Sequence, residues 1–228
     1  MTGYIIGDSS RDIILNVSKA MFYKYGYSRT SIREICRRGD VSNSRVNYHF
    51  ESKANLANII AEDFLVRLNK AITKAISDKF TCDDKLILKL CCDNRLISLV
   101  YENKNLRVFF REISMTGQFY RMYLLLRSDE MYRELNSKRG NVFTEREIIG
   151  YSAIYSNALS GLFSNIPDEI RDLKDCDYYT ETYEKLFVKL IDMPRTEQDR
   201  LVEMVNKCVE DMVIDITDFD NFKVYYRT

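Results

Sequence analysis

The sequence predicts an all-α chain, and three observations lead there. Its 228 residues include only eight Gly and two Pro, whereas strand-rich folds need turn residues roughly every 8–12 positions. From Ser10 onward, apolar residues recur at three- and four-residue spacing. Hydrophobic residues make up 46% and charged residues 30%, a balance that can bury a core and argues against disorder.

The elements follow in order. Residues 1–9 carry no periodic pattern and read as a short arm. Ile13, Ile14, Val17, Met21 and Phe22 share one face of a first helix, which Gly26 ends. Thr30 or Ser31 caps a second helix to about Arg38, with Ile32, Ile35 and Cys36 inward. Gly39-Asp40 makes a turn. Ser42 caps a short third helix to about Tyr48 or His49, and Val46 is the residue that pins it to its own domain. Ser52 caps a long fourth helix to about residue 77, with Leu56, Ile60, Phe64, Leu68, Ile72 and Ile76 on one face. Further helices are expected near 83–103, 105–116, 118–138, 144–165, 179–193 and 196–214. Gly117, Gly140, Pro167 and Pro194 punctuate the joints. The acidic stretch 166–178 reads as a loop with at most one short helical turn, and the tail 215–228 fits no element.

Charge is divided along the chain. The total is zero, with 34 Lys+Arg against 34 Asp+Glu. Residues 1–50 hold eight basic side chains against four acidic ones, a net of +4, and residues 51–228 carry the compensating −4. The basic end coincides with three helices on very short turns. The second and third form a helix-turn-helix unit, which lays its second helix in the major groove of DNA. That helix reads Ser42-Asn43-Ser44-Arg45-Val46-Asn47-Tyr48-His49. Arg pairs with guanine, Asn with adenine, and Ser or Tyr with phosphate.

Other chemistries lack their residues. One His and six scattered Cys, none in a CxxC pair, leave no metal site. There is no phosphate-binding Gly loop and no Gly-x-Ser-x-Gly, so no enzyme and no cofactor are expected. No apolar run approaches the roughly 20 residues of a membrane span. Reduced thiols and a cytoplasmic location are the expectation.

The N-terminal residues carry a resemblance. Thr30-Ser31-x-Arg33-x-Ile35, then Val41-Ser42, then Asn47-Tyr48-His49-Phe50-x-Ser52-Lys53-x-x-Leu56, resembles the DNA-binding domain of TetR-type transcriptional regulators over residues 10–60. The resemblance implies a helix-turn-helix domain at 1–51 and a helical ligand-binding and dimerisation domain at 52–228. By position, Ser31 and Arg33 on the second helix, Ser42 to Asn47 in the groove, Tyr48 and His49 on phosphates, and Lys53 at the fourth helix's N-terminus would bind duplex DNA. Three positions depart from the family's pattern. Asp40 stands where Gly is usual in a left-handed turn, which Asp tolerates better than most residues. Asn47 stands where an aromatic is common, and Glu51 where Lys is.

The resemblance further implies a homodimer and a small-molecule effector. Gly150, Ala153, Asn157 and Gly161 form a small-residue stripe, and Leu201, Met204, Val205, Cys208 and Met212 an apolar one continued by Ile216. With their symmetry mates they would build a four-helix bundle, and either stripe alone also fits an internal core. Tyr101, Phe109, Phe110, Met115, Phe119, Tyr120, Tyr123 and Tyr155 are candidate pocket residues; a Tyr-rich core explains them equally well. The function these readings imply is a dimeric, ligand-responsive regulator, a repressor of a palindromic operator. Its alternative is a protein-binding adaptor on the same fold, cued by the acidic loop and tail.

Overall fold

The computed structural model describes residues 7–82, 84–117, 119, 125–165 and 173–227. Among them the chain forms ten helices and a C-terminal hairpin: α1 (Gly7–Tyr25), α2 (Ile32–Gly39), α3 (Asn43–Phe50), α4 (Lys53–Phe80), α5 (Lys85–Glu102), α6 (Lys104–Ser114), α7 (Leu125–Lys138), α8 (Glu145–Asn165), α9 (Leu173–Leu190), α10 (Arg195–Val209), β1 (Met212–Ile216) and β2 (Phe222–Tyr226). The all-helical class holds, with one small sheet at its end.

The caps explain where helices start. Ser31 Oγ accepts from Glu34 N, Ser52 Oγ from Asn55 N, and Asp84 and Asn103 from the first amides of α5 and α6. Each pairs an N–H that the helix leaves without a partner. Asp40 ends α2 at φ 49° and ψ 47°, in the left-handed region the sequence assigned to it. Gly39 is where α2 meets α1: a Cβ there would sit 3.0 Å from Ile13 Cγ2.

α1 packs on α2, α3, α4 and α6, with Ile14, Met21, Phe22, Ile35, Val46 and Phe50 all buried between them. Leu56, Ala57 and Ile60 at the start of α4 belong to the same core. α5 is the central helix of the remainder. It touches α4, α6, α7, α9 and α10, and it is buried nearly all round, as a helix in the middle of a bundle must be. α7 and α8 form an antiparallel pair. α6 meets the N-terminal helices directly: Glu112 Oε2 accepts from Ser28 N at 2.8 Å, in the α1–α2 turn.

Two boundaries differ from the sequence reading. α9 begins at Leu173, inside the stretch expected to be a loop. α10 stops at Val209, and Asp211 at φ 59° turns the chain into a strand. Met212 and Ile216, expected on a helix face, therefore lie in β1, paired with Tyr226 and Phe222 of β2. The tail that fitted no element is the second strand of this hairpin.

Candidate nucleic-acid interface

Two apolar side chains fix α3. Val46 and Phe50 are fully buried, and the Arg11 guanidinium lies 5.6 Å from the Phe50 ring centroid. Anchoring one face of an eight-residue helix obliges the rest to face outward. Ser42, Asn43, Ser44, Arg45, Asn47 and Tyr48 are all exposed, Tyr48 to 84%. Its one ring contact among the described residues is an edge approach to His49 at 5.1 Å. Ser31 and Arg33 of α2 are exposed on the neighbouring helix. Among the described residues no carboxylate pairs with Arg33 or Arg45. Arg37 and Arg38, by contrast, both bond Glu34 at 2.7 Å. These bonds, first that from Arg37, hold the Glu34 carboxyl down at about 2.

Two predicted residues have structural duties as well. His49 is half-buried, its Nε2 3.1 Å from Ser10 Oγ of α1. Lys53 Nζ donates to the carbonyls of Tyr27 (3.0 Å) and Thr30 (2.9 Å) and sits 4.0 Å from the Tyr27 ring centroid. Lys53 thus ties the α1–α2 turn to the start of α4. Burial is the main cause that lowers its pKa. Ser42 Oγ makes no cap bond and lies 2.8 Å from Ser44 Oγ, leaving α3's first amides open to solvent or a phosphate.

The predicted pocket residues do not form one set. Phe109, Phe110, Phe119 and Tyr155 are buried; Phe110 packs 5.7 Å from Phe119, and Tyr101 stacks on Tyr179 at 5.6 Å. Met115 is 74% exposed, on the α6 C-terminal turn. Tyr120 and Tyr123 lie outside the described residues.

Sequence reasoning missed the polar cluster beside these rings. Asp93 of α5 is buried and bonds Arg127 Nε at 2.8 Å. Asn94 donates to Glu184 Oε1 at 2.5 Å, while the buried Glu184 Oε2 has no hydrogen-bond partner among the described residues. Burial pushes Glu184 up to about 7 and raises Asp93 despite Arg127. Tyr155 and Tyr183 stack over this cluster at 4.3 Å. The polar run Cys92-Asp93-Asn94-Arg95 inside an otherwise apolar helix was the available signal.

The predicted dimer stripes divide. Gly150 and Asn157 are exposed and Ala153 and Gly161 half-exposed on α8, beside Ile149 at 55% and Ile154 at 52%. A Cβ at Gly150 or Gly161 would meet nothing. On the other stripe Val205 and Cys208 are buried within the chain against α5, where Cys91 Sγ lies 3.9 Å from the Val205 carbonyl. Met212 is buried in β1, Leu201 is half-buried, and Met204 is exposed. No described helix is long and apolar enough to cross a membrane.

A short helix held by its apolar face, presenting Ser, Asn, Arg and Tyr beside a second helix across a tight turn, defines a helix-turn-helix protein. Residues 14–59 match the tetR family of bacterial regulatory proteins. The probable HTH-type transcriptional regulator YttP of Bacillus subtilis (strain 168) is 27% identical over 115 residues, covering 50% of this chain and 55% of YttP. The chain thus spans about half the length of the curated relative it matches. Among solved structures, RolR in complex with resorcinol shares the fold with a TM-score of 0.61 at 12% identity, over 88% of this chain and 95% of RolR. So does a protein described as a TetR-family transcriptional regulator from Syntrophomonas wolfei str. Goettingen, with a TM-score of 0.53 at 19% identity, over 79% and 96% of the two chains. The match to the tetR family model is confined to the N-terminal helices, and the likeness to solved structures extends over the fold of most of the chain.

Proposed function

We propose that the chain is a homodimeric transcriptional repressor that binds a palindromic operator and releases it when a small molecule binds. The observation that carries the reading is α3: Val46 and Phe50 lock it, and Asn43, Arg45, Asn47 and Tyr48 are left facing solvent. Arg45 and Asn47 read base edges; Ser31, Arg33, Ser42, Ser44, Tyr48 and His49 hold phosphates, with Lys53 behind them. The division of labour falls at residue 51, with DNA reading before it and effector binding and dimerisation after it.

The dimer forms through α8, where Ile149, Gly150, Ala153, Ile154, Asn157 and Gly161 make a surface on which a second helix can approach closely. Ile149 and Ile154 on this face are exposed, and a Cβ at Gly150 or Gly161 would meet nothing. The effector enters the interior of the C-terminal domain, with the aromatic rings of Phe110, Phe119 and Tyr155 against its apolar body. Asp93, Asn94 and Glu184 are its polar anchors. Binding shifts α4, which begins beside α3 at Lys53 and ends beside α5, and so changes the separation of the two recognition helices. A differential affinity worth about 1–3 kcal/mol suffices for such coupling.

Selection of bound fragments from random duplex DNA tests the reading. Enrichment of a palindrome with half-sites about one helical turn apart is expected. Recovery with no enriched sequence would replace the regulator with the adaptor.

A further inference from the structure

The hairpin after α10 was not expected from the sequence, and it is built to grip. Its tip is rigid: Asp218 Oδ1 accepts from Asp220 N (2.8 Å) and Asn221 N (2.9 Å), and Thr217 N donates to Asn221 O (2.9 Å). This turn drives Phe219 inward. Its ring is 1% exposed and lies 5.5 Å from Tyr23 of α1, 5.5 Å from Phe64 of α4 and 4.8 Å from Phe109 of α6. Beside it, Asp220 Oδ1 accepts from Lys19 Nζ of α1 (2.7 Å) and Arg67 Nη2 of α4 (3.0 Å). Arg67 also donates to the Phe219 carbonyl at 2.9 Å. Lys19 and Arg67 share Asp63 as well, so the tip closes a four-charge network across α1 and α4.

The other end of the hairpin is rooted elsewhere. Tyr226 OH donates to the Cys208 carbonyl at 2.6 Å, in the last turn of α10, and its ring packs on Phe80 at the end of α4. From Phe80 back to Phe64 is about 24 Å of helix. The hairpin runs along that length, with Phe222 against Phe64 on the way. One rigid piece therefore spans from α10, which packs on α5 and α9, to α1, the helix on which α2 and α3 are mounted.

We propose that the C-terminal hairpin is a strut that holds α1 in position, with Phe219 and Asp220 as its positioning residues. It links the α5–α9–α10 region to the helix-turn-helix without passing through α4 alone. A lone two-stranded hairpin of five-residue strands has little stability by itself; its order comes from the contacts it makes with the helices. The functional consequence rests on the reading of α3 as the DNA-reading helix, but the strut does not.

Hydrogen exchange on the full chain without DNA tests it. Phe219→Ala should speed exchange of α1 amides over residues 15–25 by about tenfold or more, with the amides of α5 and α10 at wild-type rates. Phe219→Leu should restore most of the protection. Asp220→Ala, a surface change that leaves the core filled, should act in the same direction by a smaller factor, and it decides alone if Phe219→Ala does not fold. Unchanged α1 exchange in the variants would overturn the proposal. So would a uniform rise across α1, α5 and α10, which reports lost stability instead of a lost strut. On a selected duplex, Phe219→Ala should weaken specific binding by about tenfold and non-specific binding far less. If the wild type binds no DNA while α1 still responds, the strut stands and the regulator reading falls.

Discussion

At the scale of single residues, exposure separates duties that the sequence had grouped. Arg45, Asn47 and Tyr48 are exposed, Tyr48 meeting only the edge of His49, so their substitution should change stability little. Asn47→Ala and Arg45→Ala should relax preference at particular base pairs by about 1–3 kcal/mol each, measured by competition between single-base operator variants. Equal losses on operator and random DNA would remove them from the base-reading set. Lys53 is different. Two carbonyls and the Tyr27 ring hold it, so Lys53→Ala should lower both thermal stability and DNA affinity, and a loss of affinity alone would contradict the structure. The buried Glu184 predicts a pH effect with a definite sign. Its folded pKa is about 7 against an ordinary 4.5, so the folded state binds more protons between those values. Stability falls as pH rises through that window, by at most about 3 kcal/mol from this group. Glu184→Gln keeps the carbonyl that accepts from Asn94. It should stabilise the protein at pH 8 and do little at pH 4.5 in urea titrations.

Elements were legible where periodicity and caps agreed. Ser31, Ser52 and the apolar spacing placed α2 to α4 within about three residues, because local chemistry sets those ends. Asp40 was legible too: it does adopt the left-handed turn. A non-Gly residue there costs about 1 kcal/mol, and Asp40 is exposed, so Asp40→Gly should stabilise the chain by about 0.5–1 kcal/mol in denaturant unfolding. The hairpin was misread for a physical reason. Met212 and Ile216 continue the i, i+4 rows of α10, and helix and strand patterns overlap over so short a run. The alternation in Met-Val-Ile-Asp-Ile and Phe-Lys-Val-Tyr-Tyr, around Asp218-Phe219-Asp220-Asn221, was the period-two signal. Of the buried cluster around Asp93 and Glu184 only the polar run in α5 was legible; its partners Arg127 and Glu184 come from helices far apart in sequence.

For the whole molecule, the helix pattern told the fold class, while the partition between core and interface needed three dimensions. Val205 and Cys208 were read as interface together with Gly150 and Ala153, yet the first pair is buried in the chain's own core while Gly150 lies exposed on α8 beside Ile149 and Ile154. Ile154→Glu should therefore shift the protein to monomers in light scattering, with the helical circular dichroism retained. A dimer that persisted would move the interface off α8. Loss of the dimer should also cost operator affinity, since two half-sites would no longer be bound together. The net +4 of residues 1–50 makes a second demand on the same molecule: binding must weaken steeply with salt.

The most direct test of the central claim, that α3 reads DNA sequence, is a titration of the full-length chain against a selected duplex and a scrambled one across a salt series. The account predicts a complex with the selected duplex at least about a thousandfold tighter, with both affinities falling as salt rises. Equal affinity for the two duplexes at every salt concentration would contradict it.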